Sequence, residues 1–275
     1  MGPDRARVPA RLSAELPAEL PAGLPAVLVV CTPLLAEYVA VQRGLRHGRR
    51  PNLAAEVAAP VRARVLRTGM GPARSRQAGV VLADSLAAAR PGVVSTASTP
   101  ATVPGVSVVI AGVAGALTPQ VAPADVVVAN GLVDGARRST LPEPAVLAGL
   151  LRAAGMSVHV GPVLSTRRPG GERAALHAET GAIAVDLESA FLAGALRTPG
   201  PAVPLAVVRV VVDTPSAPLL HPKTVPNGVR ALRMLARVAA LLPAWAAWPA
   251  AWRPAPARVD ETDVRDLPVP AEEVR

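Results

Sequence analysis

Short β-branched runs that alternate with helix-length stretches constrain this chain more than any other feature. The runs are "AVLVVC" (26–31), "VRARVLR" (61–67), "VSVVIA" (106–111), "DVVVAN" (125–130), "VHVGPVL" (158–164), "AIAVD" (182–186) and "VPLAVVRVVVDTP" (203–215). Ala- and Leu-rich segments flanked by Gly or Pro separate them and predict helices near 34–46, 73–89, 144–154, 171–179, 187–196 and 225–242. Such alternation predicts an α/β protein of three layers, α/β/α, with a central mixed sheet covered on both faces. A hydrophobic fraction of 51% supports a real core, and with aromatics at 2% that core must be aliphatic.

Residues 1–24 are Pro- and Ala-rich and residues 246–275 are Pro-rich and acidic towards their end, so both read as tails around one domain at 25–245. The N-terminus mixes acids, Arg and Pro where an export signal needs an apolar core, and a cytoplasmic location is expected. The longest apolar stretch, residues 238–252, is too short and too Pro-interrupted to span a bilayer. Its Trp residues either cover the domain surface as part of a last helix or make a peripheral membrane contact.

Net charge is +9, yet the Arg residues are scattered without interleaved aromatics, so no nucleic-acid partner is expected. The densest basic stretch, "RGLRHGRR" at 43–50, falls at a helix end, where cations offset the negative pole. A single cysteine, Cys31, excludes an internal disulfide, and His47, His159, His177 and His221 show no zinc-like spacing, so no metal site is expected.

In sheets of this kind ligands gather at the carboxyl ends of strands. After the second run, "TGMGPARS" places Gly69 and Gly71 in a tight turn ahead of a helix. A dinucleotide fingerprint would need glycine where Arg74 stands, so the turn is read as ordinary or as one whose amides face a ligand. After the third run, "AGVAGAL" (111–117) is expected to be a loop in which Gly112 and Gly115 let another molecule approach the backbone. Glu188 falls in the first turn of a predicted helix, where it complements the dipole, and Asp186 is a candidate N-cap. Asp213 ends the most strand-like segment of the chain. Both acids follow buried-looking strands, and two carboxylates converging on one cleft are an acid/base candidate.

The order "TGMGPA", "VVIAGVAGALTPQVAPADVVVAN", "GAIAVDLESAFLA", "VVRVVVDTP" resembles the purine nucleoside phosphorylase and nucleosidase superfamily over most of 26–215. "CTPLLAE" and "GAIAVDLES" look most like the hopanoid-associated nucleoside phosphorylases, linked to removing adenine from adenosylhopane. The resemblance implies a partly barrel-like sheet, no cofactor, phosphate or water as the nucleophile, a small nucleoside substrate that carries a lipid in the hopanoid case, and a homo-oligomer.

The resemblance also implies the site. Asp213 matches the acid that protonates the purine N7, and the apolar neighbours Val211 and Val212 are expected to keep it protonated. Glu188 matches the ribose-hydroxyl ligand, preceded by Leu187 where Met is common. Glu37 matches the acid that orients or activates water, although its position alone also suits a solvent-facing helix residue. Gly112, Val113, Ala114, Gly69, Gly71 and Ser165 are expected to line the base or nucleophile pocket. Ile110 and Val113 stand where phosphorylases carry phosphate-gripping Arg and Thr or Ser. Phosphate would then need Arg43, Arg46 or Arg74 in their place. Two further readings remain open: a nucleosidase for methylthioadenosine, adenosylhomocysteine or futalosine, and a sensor that binds a nucleoside without turning it over.

Overall fold

The computed structural model describes residues 27–48, 61–88, 105–135, 137–197, 203–216 and 224–247. Eight strands and six helices follow one another along this part of the chain. They are β1 (Val27–Thr32), α1 (Leu35–His47), β2 (Arg62–Arg67), α2 (Pro72–Ala88), β3 (Val106–Ala116), β4 (Val126–Asp134), β5 (Arg137–Thr140), α3 (Pro144–Ala153), β6 (Val158–Ser165), α4 (Arg173–Thr180), β7 (Ala184–Asp186), α5 (Ser189–Arg197), β8 (Leu205–Asp213) and α6 (Thr224–Ala246).

All strands join one mixed sheet. β3 pairs with β8, β8 with β4, β4 with β6, β6 with β7 and β7 back with β3, which closes a five-stranded barrel. β1 and β2 extend the sheet in parallel from β3, and β5 adds an antiparallel edge to β4. The expected mixed, partly barrel-like sheet between helical layers is therefore present.

Burial explains the layering. Ala78, Leu82 and Leu86 of α2 and Leu192, Ala193 and Leu196 of α5 pack on one side of the sheet. Ala40, Val41 and Leu45 of α1, Leu147 and Leu151 of α3, and Leu235, Val238 and Leu242 of α6 pack on the other. Each fully buried Leu contributes about 1.5–3 kcal/mol relative to an exposed one, so small aliphatic side chains suffice without aromatic bulk.

Two expectations change, and one strand was not foreseen. The stretch 111–117 is not a loop: β3 continues through Ala116 because β8 and β7 both pair with it there. Glu188 lies just before the first residue of α5, not within its first turn. The exposed strand β5, whose "RRST" sequence carries no apolar signal, is held by its ladder with β4. Trp245 is buried against the core, as a last helix covering the domain requires. The N-terminal tail and the C-terminal tail beyond residue 247, with Trp248 and Trp252, lie outside the described residues. Among the described residues no helix is long and apolar enough to cross a membrane.

Candidate active site

Two glycines of β3 lie in register with two charged residues of β8: Gly112 opposite Arg209 and Gly115 opposite Asp213. A β-bulge in this pairing adds one residue to β8 between them, and a bulge re-aims the side chains that follow it. The glycines admit side chains of this same chain. A Cβ on Gly112 would stand 2.7 Å from Glu37 Oε1 and against Arg209 Nη1, and one on Gly115 would stand 2.9 Å from Asp213 Oδ1 and 2.6 Å from Arg173 Nη1. What approaches the backbone here is therefore not the other molecule that was expected but protein groups of this chain, which converge from distant elements.

Arg209 is the centre of the first group. It is fully buried in the middle of an aliphatic strand. Its Nη2 lies 2.8 Å from Asp186 Oδ2 and 3.9 Å from Glu188 Oε2, and its Nε and Nη2 donate to Ser189 Oγ at 3.1 and 2.8 Å. Nη1 has no hydrogen-bond partner among the described residues and lies over Gly112. A buried guanidinium is tolerable only when acids surround it. The signal for it was present in the sequence: one Arg interrupting a run of Val, four residues before Asp213.

Glu37, at the start of α1, is buried, with Oε2 accepting from the Leu34 amide and Oε1 from the Val113 amide, both at 2.8 Å. It is not the solvent-facing helix residue that its position alone would allow. Burial pushes its pKa up to about 7, against the opposing pull of Arg209 and the two amides. Glu188 accepts from the amides of Gly71 at 3.2 Å and Leu187 at 3.3 Å. Its pKa is also raised, first by desolvation, against the pull of Arg209.

Asp186 caps α5 at a distance. Its Oδ1 accepts from the amides of Glu188 and Ser189 and from Ser165 Oγ, while Ser165 Oγ accepts from the Ala190 amide. Ser165 is thereby joined to the helix start that presents Glu188. Gly69 and Gly71 both adopt positive φ, which lets the turn before α2 aim an amide at Glu188. Ala114 is buried, whereas Val113 and Leu187 are half-buried.

At the far end of β8, Asp213 is buried and its carboxylate is paired with the guanidinium of Arg173, the first residue of α4. The surroundings expected from Val211 and Val212 alone were purely apolar, and the structure adds a cation that neither residue signals. Arg43, Arg46 and Arg74, named as substitutes for a phosphate grip, are all exposed. No cluster of three or more metal-ligating side chains occurs among the described residues.

Residues 46–242 match the model of the phosphorylase superfamily. No curated protein matches the chain. Among solved structures, the 5′-methylthioadenosine/S-adenosylhomocysteine nucleosidase of Helicobacter pylori superposes with a TM-score of 0.57 at 16% identity, over 81% of this chain and 98% of that one. Futalosine hydrolase of the same organism gives 0.57 at 15% identity, over 80% and 96%. An S-adenosylhomocysteine nucleosidase of Streptococcus pyogenes gives 0.57 at 17% identity, over 81% and 100%. These likenesses concern the fold, while the family match extends over more than half of the chain. The chain belongs to the phosphorylase superfamily.

Proposed function

We propose that this enzyme hydrolyses the N-glycosidic bond of a purine nucleoside, with adenosylhopane as the substrate and adenine and a ribosyl hopane as the products. The observation that carries hydrolysis is the charge around Arg209. Three carboxylates, Glu37, Asp186 and Glu188, share that one buried guanidinium. A phosphate dianion entering there meets more negative than positive charge in a dry site, where such interactions are strong. Water carries no such penalty.

Glu37 is the base that takes a proton from the attacking water. Both its oxygens are fixed by backbone amides, and a pKa near 7 suits a general base at neutral pH. Glu188 accepts from the ribose hydroxyls, its oxygens having lone pairs left beyond the two amides they bind. As the C–N bond breaks, its electron pair passes into the purine, and Asp213 protonates N7. The water oxygen bonds to the sugar, and exchange with solvent returns Glu37 and Asp213 to their starting states.

Two exposed apolar side chains support a greasy substituent on the fifth carbon of the sugar. Leu34, whose amide holds Glu37, is 38% exposed, and Met70, next to the Gly71 that holds Glu188, is 54% exposed. An alkylthio group would satisfy them as well as a hopane. Adenine release should therefore be measured from adenosylhopane and methylthioadenosine, each with and without phosphate. Faster release from adenosylhopane at a rate indifferent to phosphate is expected. A strict phosphate requirement would overturn hydrolysis, and a preference for methylthioadenosine would overturn the hopanoid substrate.

A further inference from the structure

We infer that Arg173 is a positioning residue for Asp213, holding the carboxyl group against the leaving base and stabilising the charge that forms on it as the proton departs. The inference rests on the proposed role of Asp213 and adds a second residue to it.

Geometry is the first support. The Arg173 guanidinium spans two groups at the end of the barrel, with Nη1 donating to the Ala116 carbonyl of β3 and Nη2 paired with Asp213 Oδ2 of β8. It lies across Gly115, where a Cβ would come within 2.6 Å of Nη1 and 2.9 Å of Asp213 Oδ1. Only a bare backbone leaves room for both groups. One oxygen of Asp213 is thus tied down and the acid is held in one orientation. Val212, its neighbour on β8, has no hydrogen-bonding side chain with which to do this.

Placement is the second support. Arg173 is the first residue of α4, where the positive end of the helix dipole disfavours a cation. The local structure does not call for Arg there, because the preceding Glu172 already caps the helix by accepting from the amides of Ala174 and Ala175. Leu176 packs against a small cluster of Leu117, Val133, Leu164 and Ala182, and Arg138 donates to the Thr180 carbonyl at the other end of the helix. α4 is therefore tethered at both ends, and its first residue is delivered to the acid. The Arg173 side chain is 19% exposed and Asp213 6%, so the pair is screened little by solvent.

As Asp213 passes a proton to the purine, negative charge grows on its carboxyl group, where the Arg173 guanidinium already lies. A preorganised donor aimed at developing charge acts on the transition state more than on the bound substrate. Removing one such donor typically lowers turnover by about a hundredfold or more.

The test is steady-state kinetics of Arg173→Met and Arg173→Lys on the substrate that the wild-type enzyme cleaves, beside a double-mutant cycle of thermal stability for Arg173→Met and Asp213→Asn. We expect kcat of Arg173→Met to fall about a hundredfold with KM within about threefold, Arg173→Lys to recover part of the loss, and the two substitutions to be non-additive in stability. An unchanged kcat in Arg173→Met, a loss confined to KM, or full additivity in the cycle would overturn the assignment. A wild-type enzyme that cleaves no nucleoside would overturn the proposed function instead, and the stability cycle would still report on the pairing.

Discussion

Glu37 Oε1 accepts the Val113 amide at 2.8 Å, a bond that fixes a carboxylate of α1 over a strand 76 residues further along the chain. Its other oxygen is fixed by Leu34. The carboxylate is therefore positioned before any substrate arrives. Glu37→Gln keeps the shape and removes the base, so turnover should drop by about 10²–10⁴ with little change in substrate affinity. The rise of kcat/KM through about pH 7 in the wild type should vanish in the variant. A pH–rate profile unchanged by the substitution would remove Glu37 from the mechanism.

Stability should depend on pH through the same residue. The folded-state pKa of Glu37 is raised from 4.5 to about 7, so the native protein binds the proton more tightly than the unfolded chain does. Its contribution is complete below about 4.5 and is lost as pH rises through about 7. Denaturant midpoints measured from pH 4.5 to 8 should fall over this window in the wild type and fall less in Glu37→Gln.

Arg209→Met leaves Asp186, Glu188 and Glu37 without their shared cation. Breaking a buried ion pair in this way costs about 3–5 kcal/mol, which urea unfolding would register. Because Arg209 holds the Glu37 pKa down, any variant that still folds should show its acidic limb of kcat/KM displaced to higher pH. A substitution that is neutral in both stability and pH profile would contradict the central place given to Arg209.

Two glycine substitutions should act in opposite directions. Gly112→Ala places a methyl group 2.7 Å from Glu37 Oε1 and against Arg209, and it should abolish most activity while disturbing stability. Gly149→Ala, in α3 with open space around it, should stabilise the protein by about 0.5–1 kcal/mol and leave kinetics unchanged. Thermal melts and initial rates on the same two variants separate packing at the site from helix propensity.

Asp213→Asn should lower kcat far more than it raises KM, because its proton is needed in the transition state and not in the bound substrate. Equal losses in both would assign Asp213 to binding alone.

The amino-acid sequence by itself determined the layering and where most of the strands and helices fall along the chain. β-branched runs can bury both faces only in a covered sheet, and Ala/Leu segments between them can cover it only as helices. Asp213 and Glu188 were legible because each ends or interrupts an apolar pattern, whereas Glu37 was picked out by the family resemblance alone. Which groups those acids meet was decided by tertiary structure alone. Periodicity tells which face a side chain takes but not which element packs against that face, and the extension of β3, the closure through β7 and the bulge in the pairing of β3 with β8 all depend on partners remote in sequence. Neither Arg209 nor Arg173 was singled out from the sequence, because the groups that each meets are set by packing. Closing the barrel brought each against a carboxylate, because a charge buried in a low-dielectric interior persists only where an opposite charge meets it.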